Sequence, residues 1–223
     1  DKLAVYIDAH GQLALPLNGT PSTHILKPSI ERFPDLIVNE AYCMQLAAAI
    51  GLPVAPVRVA SVTTETNTAL QYLLIERYDR KPLPESSLKR LHQEDFCQAL
   101  GIVSEMKYQN EGGPSLVDCF HLIRRVSTVP AKDLQVLLQA VLFNWLIGNH
   151  DAHGKNFSLL YYQPGIIRLA PLYDLICTAY YPELSDRMAM RMGSEYDPDK
   201  VHPRHIERLA EDTGLAKPMV LKQ

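Results

Sequence analysis

The apolar residues change their spacing near residue 80, and that change limits what the chain can build. Before it, short apolar runs alternate with turn residues: LAVYID, AHGQ, LALPL, NGTPS and HILK fill most of the first 30 residues. Runs of this length broken by Gly, Asn and Pro predict hairpins of an antiparallel sheet. From Asp35 one helical stretch interrupts them, LIVNEAYCMQLAAAI, closed by Gly51 and Pro53 as a helix end should be. Strands resume with VAPVRVASV and ALQYLLIERY on either side of the polar turn TTETN. Strand, strand, helix, strand, strand is the order of a small sheet carrying one helix.

Beyond Arg80 a Pro-containing linker, KPLPESS, leads into segments that read as helical, EDFCQAL and SLVDCFHLIRRV. Ser115 and Asp118 have the spacing of a capping box. The run LQVLLQAVLFNWLI, 134 to 147, is apolar almost all round and stops at Gly148, which predicts a buried central helix. Such a helix delivers the next loop, GNHDAHGKN from Gly148 to Asn156, into the protein's middle. Two short strands, FSLLYY and IIRLA, follow across the turn QPG, and PLYDL comes directly after. The tail from His202 predicts one more helix, with Pro203 near its start and Gly214 past its end. The chain is thus expected to be α+β, with an antiparallel-sheet part at 1–80 and a mainly helical part at 81–223.

With 223 residues and 47% hydrophobic content, the chain can bury a core without staples. Its 22 Lys+Arg against 25 Asp+Glu, a formal net charge of −3, exclude a globally basic nucleic-acid coat protein. Cys43, Cys97, Cys119 and Cys177 are widely spaced among apolar neighbours with no CxxC pair, so reduced core thiols are expected. No apolar run approaches the roughly 18 residues that span a bilayer, and no segment has the form of a signal peptide. A soluble, cytoplasmic protein is the expectation.

Three oxygen donors are set up to converge. Asp151 and Asn156 lie five residues apart in one tight loop, and Asp174 follows a strand hairpin that folds it back beside them. Phosphoryl transfer needs such a set: a carboxylate to accept the hydroxyl proton, then an amide oxygen and a second carboxylate for Mg²⁺. Asp-x-x-x-x-Asn is the spacing of a kinase catalytic loop. Lys27 ends the strand HILK, and Glu40 lies in the next helix among apolar residues, where an unpaired carboxylate would be costly to desolvate. Lys27 is the obvious partner.

Each residue has a plainer reading alone. A loop Asp beside an Asn is ordinary turn chemistry, and a strand-end lysine is ordinarily solvated. His150, Asp151 and His153 also suit a divalent metal, but the further histidine ligands this needs are reduced to His121. Lys200, His202, Arg204, His205 and Arg208 are either a basic edge for DNA phosphates or a solvated helix face beside Glu207 and Glu211.

Taken in order, HILKP, NEAY, IERYDR, RLHQEDFCQALG, GNHDAHGKNFS and LAPLYDL resemble the landmarks of the HipA family of bacterial type II toxin-antitoxin serine/threonine kinases. The resemblance runs from about Lys27 to Leu175. It implies a two-lobed protein-kinase-like fold using ATP and Mg²⁺, with Asp151 as base, Asn156 and Asp174 as Mg²⁺ ligands, and Lys27, aligned by Glu40, on the phosphates. It also implies that Glu76, Arg77 and Tyr78 form the interlobe hinge beside the adenine. His153, Gly154, Lys155 and Asn156, with Tyr173 and Asp174, would complete the nucleotide contacts. The implied partners are a protein substrate, for which an aminoacyl-tRNA synthetase is one choice, and a HipB-like antitoxin that would bring any DNA contact indirectly. In two respects the chain departs from the family. No glycine-rich phosphate loop is visible, Gly11 and Gly19 standing alone, and the resemblance implies that this loop and the family's N-terminal subdomain would lie upstream of residue 1. Two alternatives stand beside it: a small-molecule kinase of related fold, which would share the Asp-x-x-x-x-Asn loop, and an inactive kinase-like subunit that binds an antitoxin, which the lack of a visible phosphate loop would suit.

Overall fold

The structure is a computed structural model and describes residues 2–8, 10–63, 67, 69–83, 88–216 and 220. The chain forms two compact units, 1–91 and 92–223.

The first unit is built on a five-stranded antiparallel sheet. Its strands are β1 (Leu3–Ile7), β2 (Leu13–Ala14), β3 (His24–Pro28), β4 (Val57–Thr63) and β5 (Ala69–Glu76), in the order β2-β1-β3-β5-β4. The β1–β2 turn is closed by Asp8, whose carboxylate accepts the N–H groups of His10 at 2.9 Å and Gln12 at 2.8 Å. This is the local side-chain bonding that makes Asp a turn residue. The helix α1 (Leu36–Ala49) packs against β4 and β5 and buries Ile37, Glu40, Ala41, Cys43, Met44 and Ala47. It ends as its sequence predicts, with Gly51 left-handed at φ 88 and the Leu52 N–H bonded to the Ala47 carbonyl. In the expected turn TTETN, residues 64–66 lie outside the described residues.

Residues 81–91, expected from sequence to begin the second part, stay with the first unit. Two strands, β6 (Arg80–Pro82) and β7 (Leu88–Arg90), pair as a ribbon, so the start of KPLPESS is strand; its residues 84–87 lie outside the described residues. Buried Asp79 anchors the ribbon. Its carboxylate takes Arg77 at 3.0 and 2.9 Å and Arg80 at 2.7 Å, while its carbonyl accepts the Leu91 N–H. Burial pushes the Asp79 carboxyl upward in pKa, but the two guanidinium groups outweigh it and hold it below the usual carboxylate range.

The second unit carries a three-stranded antiparallel sheet, β8 (His92–Asp95), β9 (Ser158–Gln163) and β10 (Ile166–Leu169), in the order β10-β9-β8. The segment EDFCQAL, expected to be helical, is divided. Glu94 and Asp95 pair with Leu159 and Ser158, and only α2 (Phe96–Ala99) is helix. Asp95 caps it by accepting the Gln98 N–H at 2.9 Å, and Gln98 returns a bond to the Asp95 N–H.

Next comes α3 (Leu116–Val126), with the capping box read from Ser115 and Asp118 in place. The long helix α4 (Pro130–Leu146) begins at a proline ahead of the apolar run and buries Leu134, Leu137, Leu138, Val141 and Phe143. It is not covered on every side, since Leu146 is 74% exposed. The last helix, α5 (Pro203–Thr213), starts and stops at the predicted Pro203 and Gly214. Phe96, Phe120, Ile123, Leu137, Leu138, Leu159 and Leu172 are fully buried. Each contributes about 1.5–3 kcal/mol over an exposed counterpart. The four cysteines are free thiols, three of them buried. Among the described residues no helix is long and apolar enough to cross a membrane.

Candidate active site

In the first unit the expected ion pair is formed. Lys27 lies in β3 opposite Leu73 of β5, and α1 presents Glu40 to the same sheet. The Lys27 ammonium donates to Glu40 Oε1 at 2.7 Å and Oε2 at 2.9 Å. Glu40 is 2% exposed and Lys27 20%, so the pair places an ordered cation near the surface on a buried carboxylate.

Glu76, Arg77 and Tyr78 follow at the end of β5. Glu76 pairs with His24 and donates its N–H to the Pro56 carbonyl. It also lines a cavity of about 130 Å³ with His24, Val57, Arg58 and Leu74. The Arg77 side chain is turned to Asp79 and to the Ser22 hydroxyl at 3.2 Å, so its guanidinium belongs to the Asp79 cluster. Tyr78 is half-buried.

In the second unit α4 is followed, after its cap Ile147, by Gly148, which is left-handed at φ 70 and so close to Ala179 that a Cβ would lie 2.9 Å from that methyl group. The loop that follows is fixed by its backbone. The His150 N–H reaches the Thr178 hydroxyl at 2.7 Å, that hydroxyl donates to the Gly148 carbonyl at 3.1 Å, and the His150 carbonyl accepts the Ala189 N–H at 2.7 Å. Buried Asn149 donates to Asn144 Oδ1 at 2.7 Å.

Asp151 then projects with its side chain 49% exposed, and the Tyr108 hydroxyl donates to its Oδ1 at 2.7 Å. Asn156 closes a 3₁₀ turn, Gly154–Asn156: its Oδ1 accepts the His153 N–H at 3.0 Å, and its Nδ2 donates to Asp174 Oδ2 at 3.3 Å. The sheet formed by β9 and β10 returns the chain to this point, so Asn156 and Asp174 meet as the hairpin predicted. Asp174 sits at φ 60, a left-handed conformation uncommon outside glycine and one that clusters at functional sites.

The neighbouring residues divide by what they touch. Gly154 lies so close to Pro114 and Cys97 that a Cβ would come within 2.4 Å of the proline ring. Lys155 donates to the Ser104 hydroxyl at 2.6 Å. The Tyr173 hydroxyl bonds to the Lys155 carbonyl at 2.8 Å and to the Ser158 hydroxyl at 2.6 Å, which fastens the segment before Asp174 to the loop. Burial drives the His153 pKa below its ordinary value against the pull of Asp151, and its Nδ1 is buried without a hydrogen-bond partner.

A carboxylate and an amide in contact are hard oxygen donors of the kind Mg²⁺ takes, and the amide oxygen keeps a second lone pair beyond its bond to His153. The orphaned His153 nitrogen beside them is a further unfilled polar position. These residues fit a nucleotide with its metal. For the other metal reading, His150 Nδ1 engages the Ser185 carbonyl at 3.2 Å. Among the described residues no three or more His, Cys, Asp or Glu side chains group as a metal site.

A cavity of about 430 Å³ opens in this unit with Asp151 in its wall, beside Tyr108, Glu111, His150, Arg187 and Tyr196. Tyr108 was not singled out from sequence; it meets Asp151 from 43 residues away and belongs to none of the motifs. In the tail, Lys200 pairs with Asp197 at 2.8 Å and Arg208 with Asp212 at 2.8 Å, so these cations have partners within the unit.

Comparison with known proteins adds a family, two curated relatives and two solved structures. The HipA-like C-terminal domain family matches residues 1–222. The serine/threonine-protein kinase toxin HipA of Shewanella oneidensis is 32% identical over 90% of this chain and 47% of its own length. Y4mE of Sinorhizobium fredii, named as a candidate kinase, is 49% identical over 96% of this chain and 49% of its own. The chain therefore spans about half the length of the curated relatives it matches. Among solved structures, S. oneidensis MR-1 HipA, in a complex with HipB and operator DNA, superposes with a TM-score of 0.89. It is 29% identical and is covered over 52% of its length, against 99% of this chain. The Helicobacter pylori proinflammatory kinase CtkA shares the fold at a TM-score of 0.54 and 12% identity, over 95% of this chain and 82% of its own.

Proposed function

From the premise that the chain belongs to the HipA-like C-terminal domain family and has a kinase-like α+β fold, we propose that it transfers the γ-phosphate of ATP to a serine or threonine hydroxyl of another protein. The observation that carries this is the contact of Asn156 with Asp174, held in a left-handed conformation, in the unit where Asp151 projects half-exposed.

In this mechanism Asp151 takes the proton of the acceptor hydroxyl as its oxygen bonds to the γ-phosphorus. The bond from that phosphorus to the β–γ bridging oxygen breaks, and ADP departs with the electron pair. Lys27, oriented by Glu40, holds the phosphates. Mg²⁺ when bound supplies neutralisation of the phosphate charge, and Asn156 and Asp174 are the residues that would hold it. Neutral His153, with its buried orphan nitrogen, offers a polar contact to the nucleotide.

The S. oneidensis relative is named a serine/threonine-protein kinase toxin; on the motif resemblance the proposal extends to a toxin kinase that modifies a host protein, for which an aminoacyl-tRNA synthetase is one choice, and arrests growth. A HipB-like antitoxin would be its partner, and any DNA contact would run through that partner. A cytoplasmic location accords with ATP use. The cavity beside Asp151 supports a second reading, since its volume suits a small hydroxylated acceptor equally well.

The test uses the full-length protein with any co-encoded partner, γ-labelled ATP, Mg²⁺ and host lysate. Replacing Asp151→Asn should lower transfer about 10²–10⁴-fold, the usual contribution of a general base, with nucleotide affinity retained. Transfer at the native rate by that variant would remove Asp151 as the base. Label appearing only on small hydroxylated compounds would select the second reading.

A further inference from the structure

Resting on that kinase reading, we propose that Tyr108 is a positioning residue for the base. Its hydroxyl holds Asp151 by Oδ1, so that Oδ2 is the oxygen that takes the acceptor's proton in the cavity both residues line.

An aspartate with half its side chain in solvent has several accessible rotamers, and its χ2 well is broad. Asp151 is in that position, and one short hydrogen bond from a neutral donor distinguishes its two oxygens. Among the described residues Oδ2 receives no comparable bond; His153 Nε2 stands 3.9 Å away, beyond hydrogen-bonding reach. The carboxylate therefore keeps one oxygen engaged and one available.

Tyr108 is itself held firmly enough to impose this. Its ring meets His153 edge-on at 5.5 Å, and the Lys107 ammonium lies 4.7 Å over its face. Its carbonyl accepts the Gly113 N–H at 2.8 Å, and the following Gln109 bonds Ala189 through its N–H and Arg191 through its side chain. Gly113 cannot be replaced without moving this turn, because a Cβ there would lie 2.6 Å from the Met106 carbonyl oxygen and 2.7 Å from that of Tyr108. Burial, and then the Asp151 carboxylate, push the phenol pKa well above its ordinary value, so the hydroxyl stays a donor across the assay range.

The experiment is steady-state transfer by the full-length protein carrying Tyr108→Phe, which keeps the ring and removes only the donor. The expected result is a kcat lower by about 10–10²-fold, the larger figure being the cost of a reacting group misplaced by about 1 Å. Acceptor KM, nucleotide affinity and thermal midpoint should stay at native values. In the Asp151→Asn background, Tyr108→Phe should cost nothing further, because residues that act as a unit are not additive. An unchanged kcat, or a loss that multiplies with that of Asp151→Asn, would overturn the positioning role while leaving the kinase reading intact. A native protein that transfers no phosphate removes the kinase reading, and this proposal with it.

Discussion

A carboxylate with 2% of its surface exposed needs a fixed cation, and Glu40 has one in Lys27. Removing one member of such a pair is far worse than removing both. Lys27→Ala should therefore destabilise the protein by about 3–5 kcal/mol, whereas Lys27→Met with Glu40→Gln should recover a large part of that loss. Urea unfolding of the two variants checks this, and equal losses would mean the pair is not coupled. This pair was legible in the sequence because a glutamate among LIVNEAYCM has to be paired and a strand lysine lies just upstream. The meeting of Asn156 with Asp174 was legible for a different reason, their fixed spacing around a hairpin. Tyr108 was not. Its side chain matters only through a partner 43 residues away, and MKYQNEGG carries no periodicity or motif that points there. Arg77 was placed beside a nucleotide by resemblance, and its guanidinium lies on Asp79, a pairing that the adjacent YDR could have suggested.

At the scale of elements, the start of α4 is tied to β10 by one buried carboxylate. Asp133 accepts from Arg168 at 2.7–3.1 Å, from the Ser127 hydroxyl at 2.6 Å and from the Leu169 N–H at 3.0 Å. Burial pushes its pKa up, but Arg168, Ser127 and Leu169 together bring it below the ordinary 3.8. A depressed carboxyl contributes stability that is fully present above its unfolded value and is lost as the pH falls through the lower folded value. The stability difference between native protein and Asp133→Asn should thus be constant from neutral pH down to about 5 and shrink below the ordinary 3.8. Denaturant unfolding across that range measures it, and a difference that widens with acid would contradict the assignment. Helix limits were well marked in sequence where caps carry them, as at Ser115, Gly51, Pro203 and Gly214. The strand β8 was not, because HQED acquires its strand character from pairing with β9, 63 to 69 positions further along, and local spacing contains no trace of that partner.

For the whole molecule, the change of apolar spacing led to the expectation of a sheet-built part followed by a more helical one, and the chain forms two compact units. The boundary shifted from residue 80 to 91 because the Asp79 cluster and the β6–β7 ribbon keep the intervening residues with the sheet. Six motifs in order pointed to the family that the comparisons then identified, and their order was informative because each alone has a plainer explanation. We propose that this chain carries the phosphate-transferring residues of such a kinase. This is tested most directly by incubating the full-length protein and its Asp174→Ala variant with γ-labelled ATP, Mg²⁺ and host lysate. A labelled host protein is expected with the native chain and none with the variant. Equal labelling by both, or nucleotide binding without any transfer by the native protein, would contradict it.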